Sequence, residues 1–71
     1  MPVTGNYTVV VKGEFGIELL DAFQGLDVTV AAGRTTLRAA HVDQAALHGI
    51  LERAQGLGLV LLDVHREDEP A

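Results

Sequence analysis

The residues of this chain best suited to chemistry are its three histidines and their acidic neighbours. His41-x-Asp43 and Asp63-x-His65 both have the i, i+2 spacing that sets two metal ligands on one face of a strand. His48 and Glu52 have the helical spacing of a general base and its orienting carboxylate. Each arrangement also has a plainer reading. Asp43 stands where a helix N-cap belongs, His65 falls on a solvated strand face, and His48–Glu52 is an exposed helical pair worth about 0.3 kcal/mol. The expected register sends His41 to the helix side of a sheet and His65 to the open side, so the two pairs do not combine into a four-ligand site. The chain contains no Ser or Cys, which leaves His48 no nucleophile to activate. His41, Asp43, His48 and His65 are therefore the candidate polar site. No catalytic, cofactor-binding or metal-ligating role is assigned, no cofactor is expected, and the chain is not expected to be an enzyme.

Composition narrows the field further. A chain of 71 residues makes one domain at most. At this size only about 60% of the unfolded surface is buried. With 48% apolar residues the chain should fold, but without cysteine it has neither disulfides nor thiolate metal sites to reinforce a small core. The simplest remaining source of stability is a second copy, so a homodimer or other homo-oligomer is expected. The formal charge is −5, and a terminal run of Glu67, Asp68 and Glu69 supplies three of the negatives. Lys12, Arg34, Arg38, Arg53 and Arg66 are scattered, with almost no aromatic interleaving, which argues against nucleic acid as a partner. Met1-Pro2-Val3 lacks the positive start of a signal peptide, and no apolar run reaches membrane-spanning length. The expectation is a soluble cytoplasmic protein with no membrane partner. The glycines of "GLGL" at 56–59 close a helix instead of opening one, the wrong context for capturing phosphate.

The elements that would position these residues follow from periodicity. "YTVVVKGEF", residues 7–15, alternates as a half-buried strand, with Tyr7, Val9, Val11 and Phe15 on one face. "GIELLDAFQG" places Leu19, Leu20 and Phe23 at helical spacing, and Gly25 suits a left-handed stop. "LDVTVAAGRTTLRAAHV" reads as a hairpin. A two-residue type II′ turn at Gly33-Arg34 pairs Ala32 with Thr35, Val30 with Leu37, and Val28 with Ala39. A second helix starts at the Asp43 cap, carries Leu47, Ile50, Leu51, Ala54 and Leu57 as its apolar stripe, and ends at Gly56 or Gly58. In the final strand Val60, Leu62 and Val64 oppose Leu61, Asp63 and His65. The order β-α-β-β-α-β predicts an α+β, ferredoxin-like domain over residues 1–66. Its four-stranded antiparallel sheet has spatial order 4-1-3-2 and carries both helices on one face, with an acidic disordered tail at 67–71. Should the first helix be only a turn, a β-β-β-α-β sheet with one helix remains.

Two surfaces stand out for contact with a partner. Gly49 interrupts the second helix at a cost of about 1 kcal/mol relative to Ala, and with Ala45 and Ala46 it forms a small-residue patch. That patch would admit either the underlying sheet or another backbone. On the open sheet face, which also carries Arg38, Val10 and Leu61 would seed an apolar spot rimmed by Lys12 and Asp63, suited to dimerisation. The second strand, an edge guarded by little except Asp27, would also suit strand addition by a larger protein.

The run "VDQAALHGILERAQGLGLVLLDV" resembles a pattern shared by a group of short uncharacterised bacterial proteins, V-D-Q-A-A-L-H-G-L-L followed by L-G-L-x-L-L-x-V. Val42 to Leu51 fit it except at Ile50, and Leu57 to Val64 fit its end. The resemblance covers about half the chain and implies no activity. In plan the chain is also similar to ACT-type regulatory modules, which dimerise and bind small effectors at helix and strand edges. The function expected on these grounds is a small non-catalytic interaction module. It would self-associate and contact a protein or a small effector. The alternatives are a ligand-binding protein or enzyme whose site forms only at an oligomer interface, and an edge-strand subunit of a larger protein.

Overall fold

A computed structural model of the protein describes residues 4–67; Met1–Val3 and residues 68–71, most of the acidic tail, lie outside the described residues. The elements follow the expected order: β1 (Gly5–Lys12), α1 (Ile17–Ala22), β2 (Asp27–Ala31), β3 (Arg34–Val42), α2 (Gln44–Gly56) and β4 (Leu61–Arg66). The strands form one antiparallel sheet in the order β2-β3-β1-β4. Leu19 of α1, Phe23 just beyond it and Ala54 of α2 join Val9, Val11 and Leu37 in one buried cluster. Both helices therefore cover the same face, α1 packing chiefly on β2 and α2 on β3. This is the α+β, ferredoxin-like plan.

Local signals account for the helix ends. The Asp43 carboxylate accepts from the Ala46 amide at 2.8 Å, satisfying one of the free N–H groups of the first turn of α2. At the other end Gly58 takes φ +79°, and two carbonyls of the last turn are capped. Leu59 donates its amide to Ala54 and Gly58 donates to Gln55, both at 3.0 Å, which is the Schellman arrangement. Gly25, at φ +88°, lies just beyond α1 as expected. Leu20 and Leu57, assigned to apolar stripes, are instead each 52% exposed: α1 is only six residues long, and α2 ends at Gly56, leaving Leu57 as its C-cap.

Three registers differ from the sequence reading. β1 stops at Lys12, and the chain turns at Gly13 before Phe15, which packs on the core from the loop. The hairpin turns at Ala32-Gly33 and not at Gly33-Arg34, pairing Ala31 with Arg34, Val30 with Thr35 and Val28 with Leu37. Both turn residues have positive φ, 55° and 77°, so the turn is type I′ and not II′. The loop after β1 holds this turn in place: Gly13 donates to the Gly33 carbonyl at 2.7 Å, and Gly33 donates to Glu14 Oε2 at 2.8 Å. Beside them the Thr35 hydroxyl, wholly buried, donates to the Gly13 carbonyl at 2.7 Å and accepts from the Phe15 amide at 2.9 Å.

The third difference lies in β4. Val9 pairs with Val64 and Val10 with Asp63, but Val11 pairs with Leu61, so Leu62 is an extra residue in the ladder. Above the bulge Asp63 and His65 keep the open face. Below it Leu61 comes opposite Val11 and packs against the core. A second bulge lies near the end of β3, where Gly5 pairs with Val42 and Tyr7 with Ala39. His41 sits in it at φ +56°, exposed, with its amide donating to Asn6 Oδ1 at 3.1 Å. The expected place of His41 on the helix side of a regular strand is thereby overturned.

Candidate functional site

Pairing across the open face sets Asp27, Arg38, Thr8 and His65 in one row and Thr29, Thr36, Val10 and Asp63 in the next. Period-2 alternation along β4 puts Asp63, His65 and Glu67 on the same side. Asp63 Oδ2 lies 2.5 Å from His65 Nδ1, and Glu67 Oε1 lies 3.0 Å from His65 Nε2. The imidazole thus bridges two carboxylates along the strand. Its pKa is raised above the ordinary value, first by the Asp63 hydrogen bond and then by the Glu67 hydrogen bond. The Glu67 carboxyl is held below its usual range by His65 and, less strongly, by the Thr8 hydroxyl. Thr8 is buried beneath this row, and its hydroxyl makes no hydrogen bond of good geometry, so His65 is the dominant partner of Glu67. Glu67 is also tied to the sheet through its amide, which donates to the Asn6 carbonyl at 2.7 Å.

Both ring nitrogens of His65 face carboxylates, so the imidazole is engaged in hydrogen bonding on both sides and leaves no nitrogen turned toward a metal ion. Among the described residues no group of three or more His, Cys, Asp or Glu is placed to hold a metal ion. The rest of the candidate polar set lies on other elements. His48 Nε2 meets Glu52 Oε1 at 2.7 Å on the outer face of α2, where both side chains are largely exposed. Asp43 is occupied as the α2 cap, and His41 stands in the β3 bulge. Two of the pairs read from spacing, Asp63–His65 and His48–Glu52, are made within their own elements, but His41, Asp43, His48 and His65 do not come together as one site.

The candidate contact residues divide likewise. Val10, Lys12, Arg38 and Asp63 share the open face, Val10 half-buried and the other three exposed. Leu61 leaves that group for the core side because of the Leu62 bulge, so the Val10–Leu61 apolar spot does not form. Ala45 and Gly49 are exposed on α2, and a Cβ built on Gly49 meets nothing within 4 Å, which removes close packing on its own sheet as the reason for the glycine. Gly49 instead lines an open groove of about 550 Å³ between α1 and α2, together with Phe23, Leu26, Ala46, Ile50 and Arg53. Arg53 spans this groove and donates to the Ala22 carbonyl at 2.8 Å.

The feature that sequence reasoning missed is the exposure of β4. Since α1 and α2 lie chiefly over β2 and β3, little covers the outer strand. Val60, Leu62 and Val64 remain 56%, 46% and 38% exposed. The available signal was the unbroken apolar run from Leu59 to Leu62, more than an edge strand with one buried face requires.

A family model described as Domain of unknown function (DUF8691) matches residues 6–65. The chain belongs to that family. The DUF8691 domain takes in all six elements, from β1 to the bridging His65 of β4, so both the groove and the exposed edge lie within it. The family description attaches no activity to these features. No curated protein and no solved structure matches the chain. No helix among the described residues is long and apolar enough to cross a membrane.

Proposed function

We propose that this protein is a small non-catalytic interaction module that associates with itself and, in that form, contacts a protein or a small effector. The observation that carries the reading is the β4 edge. An outermost strand offers its open backbone groups as a template for pairing, and a partner strand would also cover the exposed Val60, Leu62 and Val64. The small size of the buried cluster, with six members, supports the same conclusion, since association adds burial that the single chain lacks. The separation of His41, Asp43, His48 and His65 onto different elements weighs against a catalytic constellation within one chain. The groove between α1 and α2, with Gly49 in its wall and Arg53 across it, favours a small effector over a large one as a second ligand.

Molar mass in solution tests the reading, measured by light scattering from below to well above micromolar concentration. The expected result is a mass that rises to twice that of the single chain. A single-chain mass at every concentration refutes self-association.

A further inference from the structure

We infer that the partner of β4 is β4 of a second copy, paired antiparallel about a two-fold axis at Val64, so that two four-stranded sheets become one sheet of eight. This deepens the proposed self-association and rests on it; what it adds is the surface, the register and the residues that select them.

The backbone fixes which groups are available. Glu67 donates its amide to Asn6 of β1, so by the alternation of an antiparallel ladder the amides and carbonyls of His65 and Asp63 also face β1. Those of Val64 face outward. A second β4 can therefore exchange hydrogen bonds at Val64 with its own Val64, a self-complementary contact of the kind a two-fold dimer requires.

Charge then chooses among the registers. Residues directly opposite share a face, so near the middle of the strand a symmetric pair can be centred on Asp63, Val64 or His65. Centring on Asp63 sets two carboxylates against each other. Centring on His65 opposes the two imidazoles and sets Asp63 against Glu67, carboxylate against carboxylate, on both sides. Centring on Val64 places each Asp63 opposite His65 of the second copy, twice over, on the open face. On the helix side the same register brings the two exposed Val64 side chains together. The opposite edge offers no such match. Asp27 is the one charged residue of β2, and no register of β2 with itself gives it a basic partner.

Two charge variants test the register, Asp63→Lys and His65→Glu. Either alone sets like charges opposite each other in a homodimer, and each is expected to weaken self-association about ten-fold or more. Mixed one to one, they set Lys against Glu on one side and Asp against His on the other. A heterodimer of wild-type stability is expected, which misfolded variants could not form. Homodimers of either variant as strong as wild type, or a mixture that stays monomeric, overturn the inference while wild-type dimerisation leaves the wider reading intact. A wild-type chain that is monomeric throughout overturns both. Cross-linking gives an independent check in a chain without cysteine. Val64→Cys should form a disulfide-linked dimer on mild oxidation, because hydrogen-bonded antiparallel partners lie about 5.5 Å apart at Cα, within disulfide reach. Cross-linking of Val30→Cys on β2 in preference to Val64→Cys would place the contact on the wrong edge and refute the inference.

Discussion

Replacing Thr35 by Val tests how the first loop is held to the sheet. The side chain is wholly buried, and its hydroxyl serves as donor to the Gly13 carbonyl and as acceptor for the Phe15 amide. Valine has nearly the same shape, so no cavity opens and the core packing around Leu37 is retained. What is lost is two hydrogen bonds, at roughly 1 kcal/mol each. Both backbone partners then stay partly buried without their acceptor or donor, so a destabilisation of about 2 kcal/mol is expected, with more if water cannot reach them. In a domain of this size that lowers the melting temperature by roughly 8–16 °C. Thr35→Ser is the contrasting variant. It keeps both hydrogen bonds, loses one methyl, and should cost about 1 kcal/mol. Urea titration followed by circular dichroism, at one fixed protein concentration because association shifts apparent stability, gives both values. A Val variant as stable as wild type, or a Ser variant less stable than the Val variant, would refute the reasoning that the hydroxyl and not the methyl holds the loop.

Glycine substitutions should split by site: Gly49→Ala, with open space around its Cβ, is expected to stabilise the fold by up to about 1 kcal/mol, whereas Gly58→Ala, at φ +79°, should cost about 1–2 kcal/mol. A destabilising Gly49→Ala in thermal melts would mean that the groove wall makes a contact the single chain does not have. Ala32→Asn should raise the melting temperature, since Asn-Gly is the preferred type I′ pair and alanine at φ 55° is strained; no gain would argue against that turn. The His65 cluster predicts two pH effects. His65, with its pKa raised, contributes stability that is full below its ordinary value and is lost as pH climbs through the raised one. Glu67, with its pKa lowered, contributes stability that is present above its ordinary value and is lost as pH falls through the lowered one. In an NMR titration Asp63→Asn should bring the His65 pKa down further than Glu67→Gln does, because the Asp63 hydrogen bond is the larger cause; a wild-type His65 titrating at or below its ordinary value would show that the bridge is not made.

Much of the fold was legible because its signals are local. Asp43 before the α2 stripe, Gly25 and Gly58 beyond the helices, and alternation through Val9 and Val11 each mark an element from a few neighbouring residues. The hairpin turn was misplaced because moving it from Gly33-Arg34 to Ala32-Gly33 shifts the pairing by two, which leaves every face unchanged. Alternation carries no information about that choice. The tie-breakers are the contacts of Gly13 and Glu14 with Gly33, which join residues some twenty positions apart. In β4 the ambiguity is different. Leu61 and Leu62 are the same residue type, so hydrophobicity cannot say which faces the core, and the extra residue is invisible until the strand is laid beside β1. The polar candidates suffered from the same limit. Spacing identified His65 with Asp63, while its second carboxylate, Glu67, had been assigned to the tail.

The bulge at Leu62 also bears on how this chain can change over evolutionary time. In a regular strand the loss or gain of one residue reverses every side chain beyond it and exposes half the core. Here Leu62 has no partner of its own on β1. Its removal would leave Leu61 opposite Val11 and Asp63 opposite Val10, with the ladder continuous. β4 therefore contains one position at which length can vary without a change of face, and relatives that differ by a single residue between Leu61 and Asp63 would keep the same sheet.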